Sequence, residues 1–228
     1  MTQDHIATQL TTINNELKPF GASLIAVSKT HPPEVIREAY DAGQRIFGEN
    51  KVQELQTKQP VLPPDIQWHL IGHLQTNKVK YIAPFVAMIH AVDSLKLLAE
   101  INKQAAKNNR VIPCLLQFHI ATEESKFGLN IDEARQLLES EEYKAMNHIA
   151  IHGVMGMATF TDNQDKVRSE FRNLKGIFDS LREKYFADQL SFKEISMGMS
   201  GDYQIALEEG STMVRVGSMI FGSRSYQV

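Results

Sequence analysis

Cysteine is nearly absent: Cys114 is the only one in 228 residues. No intramolecular disulfide can form, and the chain reads as one that folds in a reducing, cytoplasmic compartment. An excess of one charge is missing too. The 24 Lys and Arg against 27 Asp and Glu leave a net charge of -3, without the electrostatic footprint of a nucleic-acid or anionic-membrane partner. The longest uncharged stretches, between Lys80 and Asp93 and between Arg110 and Glu123, fall short of the ~20 apolar residues that span a bilayer. The opening MTQDHIATQL lacks a basic region followed by an apolar one, so it does not read as a signal peptide. Linkers rich in Pro and Gly, nucleotide fingerprints and nucleophile elbows are also lacking. His69 and His73 have HxxxH spacing but no HExxH helix, so no zinc site is expected.

What is present is a rhythm of short apolar or β-branched runs alternating with amphipathic stretches, which predicts parallel strands joined by crossover helices. The strand candidates are 23–28, 45–49, 66–71, 86–92, 111–120, 148–154, 192–196 and 212–217. At about 28 residues per unit this spacing fits one (β/α)8 barrel, a TIM barrel forming a single domain over residues 1–228. In the segment 162–186, Val167, Phe171, Leu174, Phe178, Leu181 and Tyr185 form a helical stripe. Pro32-Pro33 opens the helix after the first strand. Residues 3–18 predict an extra N-terminal helix, placed here across the barrel's bottom.

A (β/α)8 barrel carries its active site at the C-terminal ends of its strands. Ser28-Lys29-Thr30-His31 follow the first strand. The alternation of 23–28 puts Lys29 at the mouth among apolar neighbours, where burial would lower its pKa and free an amine for a carbonyl ligand. A solvated lysine at a strand end is the plainer alternative. Gly198, Gly201, Gly210, Gly217 and Gly222 crowd the last two units, where barrels commonly bind phosphate. Ser200 is placed as a helix N-cap with Gly201 in the first turn, and Gly217-Ser218 make a second small-residue turn of unpaired N–H donors. Tight turns without a ligand would use the same residues, and Asp202 would satisfy a helix dipole by itself. Arg215 sits between Val214 and Val216 in an apolar strand, where a guanidinium needs an acceptor. A buried glutamate would serve, and so would the ring nitrogen of pyridoxal 5′-phosphate (PLP), whose protein partner is typically Asp or Arg. Asn50 is either a donor into the mouth or the N-cap of the helix begun by VQEL. Lys126 offers a second amine or a solvated loop lysine, and the MGM segments at 155–157 and 197–199 are flexible fillers for a pocket wall.

Together the motifs AVSKTHP (26–32), FGENKVQE (47–54), WHLIGHLQTNK (68–78), SKFGL (125–129), HGVMGMATF (152–160), ISMGMSGDYQIAL (195–207) and VRVGSMIFG (214–222) cover nearly the whole chain. In this set and order the chain resembles the pyridoxal phosphate homeostasis proteins, also called proline synthase co-transcribed bacterial homologues. The resemblance implies a barrel like the N-terminal domain of alanine racemase, with PLP bound as a Schiff base on Lys29. It also implies that Arg215 meets the pyridine nitrogen, that Ser200, Gly201, Gly217 and Ser218 hold the phosphate, and that Asn50 lies near the ring. The chain departs from the family's pattern at three positions. Ser218 replaces threonine and keeps the hydroxyl, Lys51 replaces tyrosine, and His119 stands in the fifth strand in place of asparagine.

The function implied is vitamin B6 homeostasis: a monomer that buffers PLP or passes it to apo-enzymes. The competing reading is a PLP-dependent amino-acid racemase. An arginine on the ring nitrogen keeps that nitrogen unprotonated and weakens the electron sink of carbanion chemistry. The chain also ends shortly after its last predicted strand, so the extra domain that gives alanine racemase its second base is not expected. A phosphosugar barrel with a Schiff-base lysine would share the phosphate loops but gives no reason for Arg215.

Overall fold

Eight parallel strands close on themselves in the computed structural model, which describes residues 3–121 and 127–222. In chain order they are β1 (Ser23–Val27), β2 (Ile46–Glu49), β3 (Gln67–Leu70), β4 (Met88–Val92), β5 (Ile112–Gln117), β6 (Ile149–Met155), β7 (Glu194–Met199) and β8 (Met213–Val216). Each pairs with its sequence neighbour, and β1 pairs with β8, Ile25 opposite Arg215, to complete the (β/α)8 barrel.

Parallel strands are covered on both faces, so their residues sort by alternation into two apolar layers. Leu24 and Ala26 pack outward against the helices, while Ile25 joins Met88, Leu115, Met155 and Met213 inside the barrel. Continued one step past β1, the same alternation turns Ser28 outward and Lys29 inward at the mouth. The helix Gln164–Tyr185 buries Val167, Phe171, Leu174, Phe178 and Leu181 along one stripe. Pro33 opens the helix Pro33–Asp41, where its missing N–H has no cost.

Several boundaries differ from the sequence reading. β7 starts later and runs on through Met197 and Gly198 to Met199, so the second MGM segment is strand. β5 stops at Gln117, and His119 lies beyond it, exposed, with its N–H donating to the Leu129 carbonyl. Lys126 lies outside the described residues. The N-terminal helix Gln3–Leu17 exists but does not cover the barrel's bottom. Among the described residues after β8 there is one helix, the single turn Ser218–Phe221, which by itself covers little of the outer wall at the β8–β1 seam. The N-terminal helix supplies cover there, packing its buried stripe Ile6, Leu10, Ile13 and Leu17 near β1, Pro33–Asp41 and Ser218–Phe221. Among the described residues, no helix is long and apolar enough to cross a membrane.

A helix that seals the seam is a structural part of the barrel. Ile13→Ala, at a fully buried position, should therefore cost about 2–5 kcal/mol in urea unfolding. Asn14→Ala, on the exposed face, should change stability by less than about 0.5 kcal/mol. Similar small losses for both would mean that the helix is peripheral.

Candidate functional site

A cavity of about 690 Å³ opens where the C-terminal ends of the strands meet. Lys29, Asn50, Ser200, Gly201, Arg215, Gly217 and Ser218 all line it, so the seven residues singled out from the sequence share one space. Met157 and Met199 form part of its rim, whereas Met155 and Met197 are buried.

The two turns that follow β7 and β8 supply backbone donors. The N–H groups of Ser200, Gly201, Gly217 and Ser218 donate to no acceptor among the described residues. Ser200 is not the N-cap of the next helix, because that helix begins later, at Tyr203, with Asp202 in the cap position. The Asp202 carboxylate turns back and accepts from the Met199 N–H at 2.6 Å, so it does not cap the helix. The cradle is thus made of turn amides, not of a long helix terminus. Glycine at 217 is required by a close approach: a Cβ there would lie 2.9 Å from the Val27 carbonyl oxygen, which sits two residues before Lys29.

Arg215 points inward and is almost fully buried. Its Nη1 donates to the Ser196 carbonyl at 2.8 Å and the Ser196 hydroxyl at 2.6 Å, and its Nη2 donates to the Gly156 carbonyl at 3.0 Å. Among the described residues its acceptors are two carbonyls and a hydroxyl, and not a buried glutamate, one of the two partners expected for this arginine. Burial lowers its pKa to about 10, against the pull of Asp202, so it remains a cation at neutral pH. A guanidinium has five N–H donors. Among the described residues the acceptors leave the Nε–H and one Nη2–H unused, and Arg215 lines the cavity.

Behind Lys29, on the outer side of the wall, lies a cluster that the sequence did not reveal. Lys58 from the helix Val52–Lys58 reaches Glu49 at 2.7 Å, Glu54 at 2.7 Å and the Ser28 carbonyl at 2.9 Å. The Ser28 hydroxyl donates to Glu49 at 2.7 Å, and the Thr30 N–H donates to Glu54 at 2.7 Å. Both neighbours of Lys29 are thereby tied down, and Thr30 is held at φ +68°. Burial pushes the Glu49 carboxyl up to about 7, against the pull of Lys58 and Ser28, and its Oε2 is buried without a hydrogen-bond partner. The available signals were a glutamate at the end of an apolar strand and the i, i+4 pair Glu54–Lys58. Neither tells that they meet.

Asn50 is also not an N-cap, since Lys51 holds that position before Val52–Lys58. It is pinned from another side, because a Cβ on Gly72 would fall 2.4 Å from its carbonyl oxygen. Lys51 lines a neighbouring cavity of about 470 Å³ with Asn50, and does not line the one that holds Lys29. His69 and His73 part company: His69 bonds His90 inside the barrel, and His73 stands exposed beside Asp93 at 3.5 Å.

Residues 1–225 match the family model described as alanine racemase, N-terminal domain. A pyridoxal phosphate homeostasis protein of Aquifex aeolicus is 41% identical over 206 residues, covering 90% of this chain and 88% of that protein. The chain belongs to the pyridoxal phosphate homeostasis protein family. A human member is 40% identical over 215 residues, covering 89% of this chain and 77% of its own length. Among solved structures, PipY of Synechococcus elongatus with PLP bound gives a TM-score of 0.85 at 36% identity, covering 95% of this chain and 100% of PipY. An alanine racemase from Bartonella henselae gives 0.70 at 16% identity over 98% of this chain and 61% of that one, a likeness of fold alone. The matched residues run from the N-terminal helix past the turn after β8.

The Glu49 cluster makes a prediction about pH. Folded Glu49 keeps its proton up to about pH 7, whereas the unfolded chain releases it near 4.5. The contribution of this group to stability is therefore full below the lower value and fades as pH rises through the higher one. Glu49→Gln keeps an acceptor for Ser28 and Lys58 but cannot titrate. The melting temperature of the wild type, relative to Glu49→Gln, should fall between about pH 4.5 and 7.5. A difference that stays constant over that range would show that Glu49 ionises as an ordinary carboxylate.

Proposed function

We propose that this chain binds PLP through Lys29 and serves in PLP homeostasis as a reversible holder of the cofactor, and not as an amino-acid enzyme. The observation that carries this reading is the convergence, in one cavity, of a lysine, a cation with unused donors and two turns of unused N–H groups. The relationship to PipY, solved with PLP bound, supports it. When bound, PLP supplies an aldehyde that condenses with one amine and exchanges it for another.

The chain's own groups divide the work. Lys29 provides the amine, and the ties on Ser28 and Thr30 fix the turn that presents it. The N–H groups of Ser200, Gly201, Gly217 and Ser218 bind the phosphate, with the two serine hydroxyls beside them. Arg215 has donors only, so a ring nitrogen that meets it must accept and stays unprotonated. That favours holding the cofactor over stabilising a carbanion. Asn50, which lines the same cavity, would lie near the ring. In this reading the 228 residues work as one domain and as a cytoplasmic monomer, and apo-enzymes lacking PLP are the recipients.

Lys29→Ala should abolish the visible absorbance of the PLP-loaded protein while leaving the fold intact. Borohydride reduction followed by peptide mapping should place the pyridoxyl group on Lys29; recovery mainly on Lys51 or Lys126 would overturn the assignment. PLP-loaded protein incubated with single enantiomers of alanine, serine or lysine should show no sustained racemisation or decarboxylation, yet should restore activity to an apo-enzyme. Turnover that disappears in Lys29→Ala would promote the racemase reading instead.

The phosphate cradle is tested separately. Pyridoxal should bind far more weakly than PLP, and Ser200→Ala combined with Ser218→Ala should cost at most about 3 kcal/mol, because the backbone donors remain. Equal affinity for pyridoxal and PLP would remove the phosphate role of the two turns.

A further inference from the structure

Four buried polar side chains run in a line across the barrel interior: His69, His90, Ser196 and Arg215. His69 Nδ1 lies 2.9 Å from His90 Nε2, and His90 Nδ1 lies 2.9 Å from the Ser196 hydroxyl. That same hydroxyl accepts from Arg215 Nη1 at 2.6 Å. Distances alone leave the proton positions open, but the chemistry at one end decides them. Arginine can only donate, so Ser196 Oγ presents a lone pair to it. The hydroxyl's single proton then goes to His90 Nδ1. His90 must carry its own proton on Nε2 and donate to His69 Nδ1, and His69 in turn keeps its proton on Nε2.

The opposite direction is disfavoured for two reasons. If His90 Nδ1 donated to Ser196, the serine oxygen would accept twice and its buried proton would have no acceptor, which forfeits that group's solvation. The imidazole would also aim a positive N–H along the line toward the Arg215 cation. A second charge is disfavoured chiefly by burial. Burial pushes His69 down to about 4, and burial, His69 and Arg215 together hold His90 well below its ordinary range.

We propose that His90, as a neutral Nε2–H imidazole, is a positioning residue for Arg215: it orients the Ser196 hydroxyl, which locks Nη1 and thereby aims the remaining guanidinium donors into the Lys29 cavity. The idea extends the PLP reading, on which its affinity arm rests. His69 terminates the line and fixes the tautomer of His90.

The test has two arms. In ligand-free protein, long-range 15N–1H NMR of the histidine rings should give the neutral Nε2–H pattern for both His69 and His90 at pH 5, 6.5 and 8. An Nδ1–H pattern for His90, or an imidazolium, overturns the proposal whether or not PLP binds. In the second arm PLP affinity is measured for His90→Leu, Ser196→Ala, Arg215→Ala and the two double variants that contain Arg215→Ala. His90→Leu and Ser196→Ala should each weaken binding about tenfold in the wild-type background, and neither should weaken it further once Arg215 is gone. Ser196→Thr, which keeps the hydroxyl, should restore near wild-type affinity. Effects that add in full to that of Arg215→Ala would mean that His90 and Ser196 act on the fold alone. If His90→Leu fails to fold, Ser196→Ala carries the cycle. Absence of PLP binding in the wild type would count against the proposed function, and the NMR arm would still decide the tautomers.

Discussion

Pairing of β1 with β8 joins the two ends of the chain and holds the site together. With Ile25 opposite Arg215, the turn carrying Lys29 lies beside the turn of Gly217 and Ser218. The contact is close enough that the Val27 carbonyl leaves no room for a Cβ at position 217. A seam between first and last strands has the greatest sequence separation in the fold, so its closure entropy is large and must be offset by packing. The N-terminal helix supplies part of that packing, where the described residues of the eighth unit form one turn of helix.

Burying charge in such a barrel follows two different rules on the two sides of the wall. Inside, Arg215 stands without a carboxylate partner in its hydrogen-bond set. It is solvated by two carbonyls and a hydroxyl, which stabilise it without neutralising it. Positive charge is thereby kept for whatever enters the cavity, while burial, joined at His90 by His69 and Arg215, holds the two histidines neutral. Outside, under the helix Val52–Lys58, one lysine is shared by two glutamates. Removing one partner of a buried ion pair is far more destabilising than the pair is stabilising, so this cluster acts as a fixture for the Lys29 turn more than as a source of stability.

Sequence alone determined the fold class, because a repeated apolar period with strand-length runs and helix stripes admits few architectures. It also determined which residues stand at the C-terminal ends of strands, since alternation carries Lys29 inward and the last two units hold the small residues that turns require. The motif order then pointed to the family. Ser200 and Asn50 have the composition of helix caps without the position, for a local reason: cap propensity describes a residue type, while the actual helix starts at Tyr203 and Val52 depend on how far β7 and β2 run. Only the tertiary structure decided what faces what across the barrel. Glu49, Glu54 and Lys58 are near in sequence yet meet Ser28 and Thr30 only because β1 and β2 are neighbours. His90 and Ser196 are 106 residues apart and touch because β4 and β7 present inward positions at the same depth. Contacts of that kind depend on register and closure, which no local pattern encodes.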